Sequence, residues 1–297
     1  MTTPENSMVA DSLQRFLFEG APVRGEIVHL DATWRAVLDR HEYPEPLRAA
    51  MGELMAAAAL LSAILKFTGS LIMQVQGTGP VKLIVVECTS DNTMRATAKW
   101  DGDLPANGFR ELVGNGRFVI TIAPTGAKQS YQGVVELEGT SVAAVLEHYM
   151  TTSEQLETRL WLAADTQQAA GMLLQRTPGP AAADADAWNR AVRLGETVTA
   201  SELLKLPARQ VIRRLYHAED IRVFDARIVS FRCSCSRERV VNMLRLLGRP
   251  EVRSILTERG AVEVNCEFCN RHYAFDAVDA EQVFASEIVT RVASTRH

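Results

Sequence analysis

Two short runs near the C-terminus, Phe231-Arg-Cys-Ser-Cys-Ser-Arg-Glu-Arg239 and Val264-Asn-Cys-Glu-Phe-Cys-Asn270, hold four of the five cysteines of this 297-residue chain. Cys233 and Cys235 form a Cys-x-Cys pair, Cys266 and Cys269 a Cys-x-x-Cys pair, and thirty residues separate the pairs. A Cys-x-x-Cys turn offers two sulfurs to one ion. In an extended Cys-x-Cys segment, residues i and i+2 point to the same side and do the same. Zinc in closed sites takes four such ligands in a tetrahedron, with thiolate sulfurs at about 2.3 Å. The expectation is one Zn2+ held by Cys233, Cys235, Cys266 and Cys269 in a small C-terminal module, residues 232–297. His272 follows Cys269 by three positions, but a complete set of four thiolates leaves it no ligand role.

The same four sulfurs are open to oxidation. Four thiolates around one dication leave a net charge near −2, and thiolates are the oxidisable form of cysteine. Each has a pair neighbour close enough to form a disulfide, and a bridge across Cys-x-Cys would be strained and readily reduced again. Zinc has no other oxidation state to adopt, so oxidation must expel it. A structural zinc contributes about 10–16 kcal/mol of apparent binding free energy, much of it folding energy. A module of this size has little core to fall back on. The cluster therefore reads as a switch as well as a staple, a purely structural staple being the plainer alternative.

Working outward, Trp188 to Phe231 looks like short helices. Ser201 is a possible cap, and Leu203, Leu204, Val211, Ile212 and Leu215 share a face that Pro207 divides. Such a half-apolar segment cannot bury itself alone. Before it, Thr177-Pro-Gly-Pro180 and the small-residue run 181–186 break the pattern. The rest, to residue 178, predicts a mixed domain. Pro44–Phe67 reads as a long alanine-rich helix and Ser141–Met150 as a second helix capped by Ser141. Ser70–Gln76, Val81–Cys88, Met94–Trp100, Arg117–Ile122 and Tyr131–Leu137 read as strands joined by tight turns, hence antiparallel. Arg159–Ala163 reads as a further strand and Thr166–Gln175 as a helix. The fold class is α+β: an N-terminal domain (1–178) with an antiparallel sheet covered by helices, a helical linker (179–231) and a small zinc-binding module (232–297).

The totals exclude much. Hydrophobic residues make up 47% and charged residues 23%, an ordinary globular composition. The net charge of −4 argues against a protein that coats nucleic acid, although Lys205–Arg259 carries 13 Lys/Arg against 6 Asp/Glu. The stretch Met1–Phe18 is polar and mixed in charge, without the apolar run of a secretory signal. Leu54–Leu65, the most apolar stretch, is shorter than the roughly 20 residues a membrane span needs. A cytoplasmic location and no membrane partner are expected. Nucleotide loops and hydrolase motifs are absent from the sequence, the six histidines are scattered, and Cys88 ends an apolar strand where a buried, inert thiol is the expectation. Nothing marks an enzyme active site.

The two cysteine runs, together with Tyr216-His-Ala-Glu-Asp-Ile-Arg-Val-Phe-Asp225, resemble the redox-regulated 33 kDa chaperonin family of heat-shock proteins. Pro80-Val-Lys-Leu-Ile-Val-Val-Glu-Cys88 and Gln129-Ser-Tyr-Gln-Gly-Val-Val-Glu-Leu-Glu-Gly139 are similar to parts of its N-terminal sheet. The resemblance implies an ATP-independent holdase, inactive when reduced and zinc-bound. On oxidation it would form Cys233–Cys235 and Cys266–Cys269 disulfides, release zinc, unfold its linker and bind unfolding client proteins as a homodimer. On that reading Leu203, Leu204, Val211, Ile212 and Leu215 are covered when reduced and are candidates for client contact. Two rivals stand beside it. A zinc ribbon that binds nucleic acid would use the basic stretch, but its arginines lack an aromatic stacking platform. A disulfide oxidoreductase would use Cys266-x-x-Cys269 and leave the second pair without a task.

Overall fold

The computed structural model describes residues 11–293 except 107, 127–128, 179–183 and 185, with backbone alone for 286–293. Residues 1–10 and most of the 181–186 connector thus lie outside the described residues. In chain order the elements are β1 (Ser12–Phe18), β2 (Val23–Leu30), α1 (Ala32–Leu38), α2 (Glu45–Ile64), β3 (Gly69–Gly77), β4 (Val81–Thr89), β5 (Thr93–Trp100) and α3 (Phe109–Val113). Then come β6 (Gly116–Pro124), β7 (Tyr131–Glu136), α4 (Val142–Thr152), β8 (Thr158–Ala164), β9 (Ala169–Arg176), α5 (Ala187–Gly195), α6 (Ala200–Lys205) and α7 (Ala208–Tyr216). The last are β10 (Ile221–Val223), β11 (Arg227–Ile228), β12 (Ser230–Phe231), α8 (Arg237–Leu247), α9 (Arg249–Arg259), β13 (Val262–Asn265), β14 (His272–Phe275) and α10 (Ala277–Ala293). They fall into two compact units, Met1–Arg232 and Cys233–His297.

Helix α2 organises the larger unit. Alanine, leucine and methionine dominate it, and its only β-branched residue is the last, Ile64, so helix propensity is high along most of its length, Gly52 being the exception. It is apolar on every side, with Leu47, Met51, Leu54, Met55, Leu60 and Leu61 all buried, and a helix of that kind has to be enclosed. By length and hydropathy it would also suit a membrane; here two sheets enclose it. The first sheet runs β10-β1-β2-β9-β8, with β11 also on β1, and the second runs β12-β5-β4-β3-β6-β7. All their pairings are antiparallel except β12 on β5. The mixed α+β class and the antiparallel strands are as the sequence predicts. Ser141 caps α4, its Oγ accepting from the Ala144 N–H at 3.2 Å.

The expected helix over Thr166–Gln175 is instead β9, and the reason is burial. Lying between β2 and β8, the strand is buried on both faces from Ala169 to Gln175. A continuous apolar run of that kind carries no period of two. Gly171 lets α2 approach, since a Cβ there would stand 2.8 Å from Leu60 Cδ1. Strands β1 and β2 carry polar residues on the inside, Gln14 and Glu26 being 3% and 1% exposed, which hides their alternation. Helices α5 to α7 occupy Ala187–Tyr216 as expected, although Thr199 rather than Ser201 caps α6, in a capping box with Glu202. Between Tyr216 and Phe231 the chain is not helical. It returns along both sheets as β10, β11 and β12.

Glu26 is the most exposed to pH of these buried groups. Its Oε2 has no hydrogen-bond partner among the described residues. Burial pushes its carboxyl up to about 7, against the pull of Arg227, Arg15 and Arg24. The folded chain therefore keeps this proton over a range where the unfolded chain, at about 4.3, has lost it. Stability from this group is complete at low pH, falls as pH rises from about 4.3 to about 7, and stays low above. Glu26→Gln keeps the shape without the charge. It is expected to stabilise the reduced protein by about 1–3 kcal/mol at pH 8 and by little at pH 4.5, in paired thermal melts.

Candidate metal centre

All four motif cysteines belong to the smaller unit. Cys233 and Cys235 lie in the irregular segment before α8, whose start is fixed by the Ser236 Oγ accepting from the Arg239 N–H at 3.2 Å. Cys266 and Cys269 occupy the tip of the β13–β14 hairpin, which closes at the Asn265–His272 pair. The tip is a tight backbone turn. The Asn270 N–H donates to Cys266 O at 2.8 Å and the Cys266 N–H to Arg271 O at 2.9 Å. Asn270 takes a left-handed φ of 55°, which asparagine tolerates better than most residues.

These elements bring the four sulfurs together, all within 4.8 Å of one another. Cys233 Sγ lies 3.6 Å from Cys266 Sγ, and Cys235 Sγ lies 3.3 Å from Cys269 Sγ. A tetrahedron with bonds of about 2.3 Å has edges of about 3.8 Å, so the arrangement matches one ion shared by both pairs. Both of these contacts cross from one motif to the other, and all four are thiols rather than disulfides. His272 stands apart from the set, its Nδ1 lying 2.9 Å from Asn265 Oδ1. Cys88 is fully buried in the other unit, and burial pushes its thiol up to about 11, the inert state the sequence predicts.

The electrostatics of the cluster call for a cation. Burial and the three neighbouring sulfurs push Cys269 up to about 12, and burial raises Cys266 as well. Cys235 alone moves down, to about 7. Burial opposes that shift, but hydrogen bonds from the Tyr273 hydroxyl and the adjacent thiols outweigh it. Cys266 and Cys269 thus resist ionising beside Cys235 unless a dication neutralises the charge. The residues fit a metal of thiolate preference. Around them, among the described residues, the unit buries Val240, Leu244, Val252, Val262, Tyr273, Phe275, Ala280, Val283 and Phe284. Arg237 ties α8 to the hairpin and to α10, lying over the Phe275 ring at 4.2 Å and pairing with Asp279 at 2.9 Å.

Sequence spacing did not single out Tyr273. Its hydroxyl donates to Cys235 Sγ at 3.2 Å, and no spacing rule marks an aromatic four residues after the last ligand. A hydrogen bond to a thiolate draws off electron density and slows its attack on an oxidant. Tyr273→Phe removes that donor, worth about 0.5–1.5 kcal/mol. The variant is expected to release its metal to a chromogenic chelator about 2- to 10-fold faster under peroxide, with unchanged metal content before oxidation.

The apolar candidates lie in the larger unit. Leu203, Val211, Ile212 and Leu215 are 1–3% exposed and Leu204 is half-buried. They pack with Phe16, Phe18, Val23, Ile27, Met172 and Leu174 of the first sheet. Tyr216 joins them, its ring centroid 4.9 Å from that of Phe18 and 5.8 Å from that of Phe16. Ion pairs lace the outside of this layer, Arg190 with Glu219 at 2.6 Å and Arg214 with Glu202 at 2.5 Å.

Comparison with known proteins places this arrangement. The Hsp33 protein family matches residues 11–276. The 33 kDa chaperonin of Methylobacillus flagellatus is 54% identical over 97% of this chain and 99% of its own. That of Chromobacterium violaceum is 52% identical over 97% and 98%. Among solved structures, the 33 kDa chaperonin (heat shock protein 33 homolog) of Thermotoga maritima superposes with a TM-score of 0.82. At 21% identity it covers 94% of this chain and 99% of that one, and it bears on the fold.

Proposed function

Since this chain belongs to the Hsp33 family, whose members are chaperones, we propose that it is a redox-switched, ATP-independent holdase of the cytoplasm. The observation that carries the reading is the convergence of four thiols in a unit whose own core is small. Cys233, Cys235, Cys266 and Cys269 hold one zinc ion when reduced. Zinc there supplies folding energy and charge neutralisation, not chemistry of its own.

Peroxide oxidises the four sulfurs in two pairs. A Cys233–Cys235 and a Cys266–Cys269 bond form, and the four electrons reduce two peroxide molecules to water. Disulfide sulfurs carry no charge with which to hold a dication. The Cys233–His297 unit then loses most of its folding energy. The chain runs from β12 straight into Cys233, so the segment 187–231, a metastable linker, loses its anchor at that end. Its departure bares the apolar face of the first sheet together with Leu203, Leu204, Val211, Ile212 and Leu215, and unfolding polypeptides meet these surfaces. The active form is a homodimer.

The test is the light scattering of an unrelated, heat-unfolding enzyme with reduced, zinc-loaded protein or with peroxide-oxidised protein, in the absence of ATP. Suppression by the oxidised form alone supports the switch. Equal behaviour of the two forms reduces the cluster to a staple.

A further inference from the structure

The outer edge of β1 is closed by very little chain. On its inner side β1 pairs with β2 from Ser12 to Leu17. On its outer side it meets three residues of β10 and two of β11. Main-chain hydrogen bonds close it, beside the side-chain pair of Arg222 Nε with Glu19 Oε1 at 3.0 Å. The Glu19 N–H donates to Asp220 O at 2.8 Å, the Phe224 N–H to Arg15 O at 3.0 Å and the Val229 N–H to Asp11 O at 2.8 Å. With Leu17 opposite Arg222, antiparallel alternation turns the backbone groups of Arg15, Leu17 and Glu19 toward this edge. The buried Gln14 side chain adds another bond of the same kind, its Nε2 donating to the Phe224 carbonyl. Side-chain packing at the edge is simple. Ile221 and Val223, two apart, rest on the cluster that contains Phe16 and Phe18.

Resting on the holdase reading above, we propose that this edge is the client-docking site. An extended segment of unfolding polypeptide, apolar at alternate positions, adds to β1 as an antiparallel strand in the place of β10 and β11. The occupant is argued from what now sits there, a backbone in extended form with two apolar side chains on one face. When 187–231 leaves, the N–H and C=O groups of the edge lose their partners, the Gln14 amide keeps only Arg15 O, and the Phe16–Phe18 face is bared beside them. An incoming strand satisfies both at once. Recognition through main-chain bonds with loose apolar pockets is strand addition, and it suits a protein whose clients share no sequence. Closure of the same edge in the reduced state keeps it from pairing indiscriminately.

The experiment follows amide hydrogen exchange in β1 of the full chain, with carboxymethylated α-lactalbumin as a permanently unfolded, thiol-blocked client. The Leu17 and Glu19 amides are expected to be protected when reduced and to open on oxidation. Client should then protect them again, by at least about tenfold. A peptide of residues 220–231 should displace the client, and its twin N-methylated at Arg222 and Phe224 should not. Client bound to the oxidised chain while Leu17 and Glu19 stay open, with both peptides competing equally, overturns strand addition and leaves the holdase reading standing. Failure of the oxidised chain to bind client at all removes both.

Discussion

Cys269→Ser is expected to leave Cys233–His297 unfolded and the segment 187–231 released, while the elements β1 to β9 of the larger unit stay folded. Cys269 sits in a turn held by two backbone hydrogen bonds, and its sulfur is 3.3 Å from that of Cys235. Serine offers a poor ligand in its place. Since the full set contributes about 10–16 kcal/mol, a loss of even about 4 kcal/mol lowers zinc affinity about a thousandfold. Among the described residues the core of this unit holds nine buried apolar side chains, and a unit of about sixty-five residues has little core to fold unaided. Metal analysis of the purified variant should find far less than one zinc per chain. Its amide spectrum should lose dispersion for residues after 186, with the residues of β1 to β9 unaffected. A zinc-free variant with that unit still folded would contradict the assignment of the metal as its main source of stability.

Leu215→Glu is expected to uncouple the two events, giving a protein that keeps its zinc yet behaves as though oxidised. Leu215 is 2% exposed within the layer that holds α7 against Phe16 and Phe18. Truncating such a side chain costs about 2–5 kcal/mol, and burying a carboxylate in its place costs more. The ion pairs Arg190–Glu219 and Arg214–Glu202 lie at the surface, where solvent screening leaves such pairs weak. They cannot hold the segment down. The reduced variant should exchange its amides rapidly from Ala187 to Phe231 and suppress aggregation without peroxide. Leu215→Ala should fall between it and the parent. Normal protection in Leu215→Glu would mean that this layer does not hold the segment in place.

The cysteine cluster was legible in the sequence because metal geometry is strict: two short spacings suffice to specify four converging sulfurs. Long α2 was legible for a related reason, since alanine and leucine without interruption admit few other structures. What the sequence concealed, it concealed through burial. In β9, Ala169 to Leu174 show no alternation because both faces are covered, and the run resembled a helix. In β1 and β2, Gln14 and Glu26 point inward, so a polar letter misreports its side of the sheet. The strands at Ile221–Val223, Arg227–Ile228 and Ser230–Phe231 are too short to carry a period, and their register exists only because β1 and β5 offer edges. Tyr273 is joined to the cluster by its hydroxyl alone, a contact that depends on the hairpin and not on spacing.

The central claim is that the metal centre controls whether the segment Ala187–Phe231 stays packed. It is tested most directly by following zinc release and amide hydrogen exchange in one sample during peroxide oxidation. The account predicts that protection of Leu203, Val211, Ile212 and Leu215 is lost in step with zinc release, and that it returns when thiol reductant and zinc are restored. Protection that persists after all zinc has been released would contradict it.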